Sequence, residues 1–75
     1  MTGVDELTEV EWRAFSDALV ALRAALPSYL FIHTEPVRNP SGALYEVRAY
    51  EGDGGRLLAD VAIRPDGTLA PVRVR

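Results

Sequence analysis

The stretch ALYEVRAYEGDGGRLLADVAIR, residues 43–64, carries the fold class in its pattern. From Ala43 to Glu51, Tyr45, Val47 and Ala49 alternate with Glu46 and Arg48, the period of a half-buried strand. From Arg56 to Arg64 the alternation returns, with Leu57, Ala59, Val61 and Ile63 facing in and Arg56, Asp60 and Arg64 facing out. Between the two runs, Gly52-Asp53-Gly54-Gly55 has the composition of a tight hairpin connection. Two strands paired in this way form one layer and need a second to cover the inward face.

Upstream, Thr8-Glu9-Val10-Glu11 reads as a capping box, with Leu7 and Trp12 at the staple positions and two carboxylates in the first turn. Trp12, Phe15, Leu19, Leu22 and Leu26 follow at spacings of three and four, thickened by Ala18 and Ala25. Arg13, Asp17, Val20 and Arg23 occupy the opposite, wet face. Pro27 ends the run. The pattern predicts a helix over 8–26, preceded by a short lead over 1–7.

Tyr29 to Glu35 reads as a first strand and Pro36 to Gly42 as a loop holding two prolines. Pro65-Asp66-Gly67 is a turn with glycine at the left-handed position. Thr68 to Arg75 reads as a last strand, which Pro71 confines to an edge or marks with a bulge. The expected architecture is a single α+β domain over residues 1–75: one N-terminal amphipathic helix packed on a four-stranded antiparallel meander over 29–75, the final strand at an edge.

Composition narrows the function. The chain has 75 residues, close to the lower size at which one core sustains a fold, so association is a natural further support. It has no cysteine and one histidine, which excludes disulfides, thiolate metal sites and histidine-rich zinc sites. A net charge of −3 disfavours a general nucleic-acid binder. No apolar run reaches the roughly 20 residues of a membrane span. Met1 to Glu6 lacks the basic and apolar regions of a signal peptide, so the expected location is the cytoplasm. All eight basic residues are arginine, and lysine and glutamine are absent, as GC-rich codons supply, so a GC-rich bacterium or its phage is the expected source.

No constellation for catalysis stands out. His33 between Ile32 and Thr34 has no nucleophile or carboxylate set around it, and the serines lie in no nucleophile-elbow sequence. The Gly52–Gly55 turn carries one carboxylate, too few for a calcium loop, and lacks the spacing of a phosphate-binding loop. No cofactor or metal is expected. Glu46 and Asp60 share a face with Arg48, Arg64 and Arg73, which reads as cross-strand ion pairing.

The strand faces point to a binding surface. With Leu30 and Ile32 toward the helix, Tyr29, Phe31 and His33 point outward and join Leu44, Tyr50, Leu58 and Ala62. Tyr29, Phe31, Tyr50 and Leu58 are the expected contact group, with Arg48 and Arg64 as rim. The expected partner is another protein or the chain itself as a homodimer, in the manner of an inhibitor, immunity protein or accessory subunit. The alternatives are a small-ligand or catalytic pocket between helix and sheet, with His33 and either Tyr45 or Trp12 at its mouth, and weak nucleic-acid binding through Arg64, Arg73 and Arg75.

Residues 45–70, with a Tyr45-Glu46-Val47 strand, a glycine turn, another strand and then Asp66-Gly67, resemble PepSY-like domains in cadence. The helix-then-meander order is similar to cystatin-type folds, although the cystatin inhibitory motif is missing. Both resemblances imply a helix laid before a small antiparallel sheet, and neither brings an activity with it.

Overall fold

A computed structural model of the protein describes residues 7–52 and 55–75. The lead before Leu7 and the centre of the expected 52–55 turn lie outside the described residues. Helix α1 spans Glu9–Ala25. It starts as its caps dictate: the Thr8 hydroxyl accepts from the Glu11 amide at 3.1 Å, and the Glu11 carboxylate accepts from the Thr8 amide at 3.0 Å. Leu26, extended, is the C-cap before Pro27.

Four strands follow, β1 (Ile32–Arg38), β2 (Leu44–Glu51), β3 (Leu57–Ala62) and β4 (Arg73–Val74), in the antiparallel spatial order β1-β2-β3-β4. The α+β meander is therefore as the pattern predicts, with the short β4 at an edge. The helix lies chiefly over β2 and β3. Between them sits the core, in which Phe15, Ala18 and Leu22 meet Val47, Ala49, Ala59 and Val61. Trp12 lies at the margin of the helical stripe, 48% exposed and stacked on Phe15 at 5.7 Å.

Five boundaries or facings differ from the sequence reading, each for a physical reason. The first strand runs three residues later, because Pro36 lies inside it: β1 is an edge strand, and a proline is tolerated where its nitrogen faces away from the ladder. The loop shifts to residues 39–43, where the Asn39 side-chain oxygen accepts from the amides of Ser41 and Ala43 and Gly42 takes a φ of 92°. The β2–β3 register shifts between Ala49 and Tyr50, which pair with Ala59 and Leu57, so Leu58 is the extra residue of a bulge. Leu58 turns to the helix side and is buried, and Leu57 takes the outward position opposite Tyr50. The β1–β2 register shifts in the same way between Val37 and Arg38, which pair with Glu46 and Leu44, and Leu44 is buried. Finally, the last strand is reduced to Arg73–Val74, with an isolated bridge from Ile63 to Leu69 before Pro71 interrupts pairing.

Candidate interaction surface

With the helix on one face, the other face of the sheet is left open among the described residues. Register places its side chains in rows. Glu35, Arg48, Asp60 and Arg73 stand opposite one another across the four strands, alternating in sign from one edge to the other. Nearer the β2–β3 turn, His33, Tyr50 and Leu57 form the next row. Beyond them the Phe31 carbonyl accepts from the Gly52 amide at 2.8 Å, and the Phe31 ring lies against Gly52, where a Cβ would collide with it.

The charged row is internally bonded. Asp60 is 3% exposed, and its carboxylate accepts from Arg73 Nε at 3.2 Å, from Arg75 Nε at 3.0 Å and from Arg75 Nη2. Burial pushes the Asp60 carboxyl up, but the hydrogen bonds and charges of Arg75 and Arg73 outweigh it and hold it below the usual carboxylate range. Arg48 contacts Glu46 at 3.3 Å, and the Tyr50 hydroxyl and Glu46 carboxylate raise its already high pKa further. The Tyr50 hydroxyl donates to Glu35 at 3.5 Å, tying β1 to β2. The face thus has a fixed polar half and an aromatic end.

Of the residues the sequence singled out, Phe31, Tyr50 and Arg48 come together on this face. Phe31 is 74% exposed, and Tyr50 is half-buried. Tyr29 sits in the turn before β1 and is 85% exposed. Leu58 is removed from the group, because the bulge seats it in the core. Arg64 is not a rim residue of this row: its guanidinium folds back on its own turn, donating to the Leu69 carbonyl at 2.7 Å and to Thr68 Oγ1 at 3.4 Å. The Arg64–Arg73–Arg75 strip is therefore divided, with Arg73 and Arg75 committed to Asp60.

Among the described residues, Trp12 borders an open hollow of about 360 Å³ with Glu9 and Asp17, Tyr45 borders a separate one of about 410 Å³ with Glu46 and Asp60, and His33 lines neither. His33 belongs to the open face, and Trp12 lies on the helix. A hollow of about 210 Å³ does occur between the helix and the β3–β4 turn, lined by residues such as Val10, Leu44, Ile63 and Pro65. It is smaller than an ordinary ligand site of about 300–1,000 Å³. Among the described residues, no group of three or more His, Asp or Glu side chains is placed to hold a metal ion, and no helix is long and apolar enough to cross a membrane.

Sequence reasoning missed two contacts. Glu11, besides closing the cap, accepts from the Leu44 amide at 3.0 Å and lies 3.9 Å from Arg38, which pins the helix start to β2. The bonds from the Thr8 and Leu44 amides lower the pKa of Glu11. The Asp60–Arg75 pairing was equally hidden, since only the β3–β4 register brings the last residue beside Asp60. Comparison with family models, curated proteins and solved structures finds no match to this chain.

Proposed function

We propose that this chain is a non-catalytic protein-binding module that meets its partner through the aromatic end of the open sheet face and the adjoining edge of β1. Phe31 and Tyr50 are the anchors, Tyr29 extends the apolar contact, and Arg48 with Glu35 forms the polar rim. The observation that carries this reading is Phe31: a large apolar ring, 74% exposed, held against Gly52 at the end of a sheet face that the helix leaves open. Aromatic anchors beside a polar rim are the usual composition of a binding patch. The role would be that of an inhibitor, immunity protein or accessory subunit in the cytoplasm of a GC-rich bacterium or its phage, where self-association is one form of the same contact.

The test is Phe31→Asp, with circular dichroism and melting temperature as the control for folding. Phe31 adds little to the core, so the variant keeps its fold. It is expected to lose the complexes that the parent chain forms, with itself or with proteins from its source. A folded Phe31→Asp that retains them all sinks the reading.

A further inference from the structure

Among the described residues, the edge of β1 has a defined set of backbone groups with no ladder partner. β1 is terminal in the sheet, and the helix sits over β2 and β3. The Gly52 amide bond to the Phe31 carbonyl sets the parity of the β1–β2 ladder. Phe31, His33, Glu35 and Val37 point their backbone N–H and C=O groups at β2, and Ile32, Thr34 and Pro36 point theirs outward. Pro36 occupies an outward position, where its missing N–H leaves the sheet intact. The outward row therefore offers two donors, from Ile32 and Thr34, and three carbonyls, from Ile32, Thr34 and Pro36.

We infer that a second copy of this chain adds to that edge, β1 against β1 and antiparallel, with the two-fold axis through Thr34. The inference rests on the protein-binding reading above and names its partner and register. In this register Thr34 exchanges both hydrogen bonds with the partner's Thr34, and each Ile32 amide donates to the partner's Pro36 carbonyl. His33 stands opposite the partner's Glu35 in a non-hydrogen-bonded pair, where side chains approach most closely, and an imidazole N–H donates to a carboxylate in either protonation state. Phe31 covers the partner's Val37 on the open face, and Ile32 meets the partner's Pro36 on the other.

The other symmetric registers fit worse. An axis through His33 opposes two imidazoles and sets Phe31 against Glu35. One through Glu35 opposes two carboxylates. One through Pro36 centres the ladder on two residues without an N–H, and one through Ile32 runs the ladder into the turn at Ser28 and Tyr29. Of these registers, the Thr34 one sets apolar against apolar at Phe31–Val37 and Ile32–Pro36 and a side-chain donor against an acceptor at His33–Glu35, and it leaves only the Ile32 carbonyl, opposite the partner's Pro36, without an N–H to accept from.

The chain has no cysteine, so Thr34→Cys introduces a unique thiol. The proposed axis brings its two Cα atoms to about 5.5 Å, within disulfide range. Thr34→Cys is expected to convert to a covalent dimer under mild oxidation, while His33→Cys and Val37→Cys stay largely reduced. Light scattering of the unmodified chain, from about 1 to about 500 µM, is expected to rise from the 8.2 kDa monomer toward twice that mass. Thr34→Pro, which removes the donor of both central hydrogen bonds at the proposed axis, is expected to stay monomeric with its fold retained. A monomer at every concentration overturns the inference, as does faster cross-linking at His33→Cys than at Thr34→Cys. If Phe31→Asp abolishes binding to a different protein while the parent chain is monomeric, the binding reading stands and the self-pairing falls. A dimer that survives Thr34→Pro but not Phe31→Asp also keeps the surface and overturns the β1 pairing.

Discussion

Asp60→Asn tests what holds the last strand to the sheet. β4 has only two residues, and its ladder bonds are few, so the Asp60 carboxylate beneath Arg73 and Arg75 is its main anchor. A fully buried ion pair that loses one partner costs about 3–5 kcal/mol. Here the carboxylate is buried, but the side chains of Arg73 and Arg75 are 68% and 44% exposed and regain water when it is neutralised. The loss is then closer to that of two exposed pairs plus a weakened hydrogen bond, about 1–2 kcal/mol. For a domain of this size that is a drop of about 5–12 °C in melting temperature at pH 7, compared at equal protein concentration. Because the Asp60 carboxyl is held low in the fold, its contribution is complete above the unfolded value of about 3.9 and is lost as pH falls through the folded value. The difference between parent and variant therefore closes as pH falls below the unfolded carboxylate value of about 3.9. Hydrogen exchange at the Arg75 amide, bonded to the Leu58 carbonyl, reports the anchor locally and should speed up in the variant. Equal melting temperatures at pH 7, or a difference that does not change with pH, would refute this assignment.

Glu11→Ala removes both the cap bond and the link to the Leu44 amide, and urea denaturation should show a loss of about 1–2 kcal/mol, more than Thr8→Ala at about 1 kcal/mol. The bulge makes neighbouring leucines unequal: Leu58→Asp should abolish the native circular dichroism, and Leu57→Asp should leave it intact. Leu22→Ala, deleting a side chain with no exposed surface, should cost about 2–5 kcal/mol in the same denaturation assay. In proton NMR the Gly52 Hα signals should be displaced by the ring above them and return to ordinary positions in Phe31→Leu.

The parts of this fold legible in the sequence are those set by neighbours in the chain. Thr8, Glu11 and Pro27 mark the helix because capping and proline chemistry act within four residues. Gly67, at a φ of 90°, and the alternation of Val47 with Arg48 and of Asp60 with Val61 are equally local. What escaped depends on pairing. Pro36 signals a break unless its strand is known to be an edge. Leu57 and Leu58 are identical in type, so only the bulge decides which one is buried. The strand pattern places Phe31, Tyr50 and Arg48 on the open face, and it misplaces Leu58 and Arg64 because bulge and turn geometry are invisible to a period-two count. The bonds of Glu11 to Leu44 and of Asp60 to Arg75 span 33 and 15 residues, a separation over which sequence pattern carries no register.

The central claim, that the aromatic end of the open sheet face is where this chain meets another protein, is tested most directly by site-specific photo-cross-linking. A benzophenone side chain at Phe31 is compared with one at Val20, which is 70% exposed on the back of the helix. The account predicts a discrete covalent adduct from position 31, with a second copy or another protein, and none from position 20. Adducts from position 20 alone, or equal adducts from both, would contradict it.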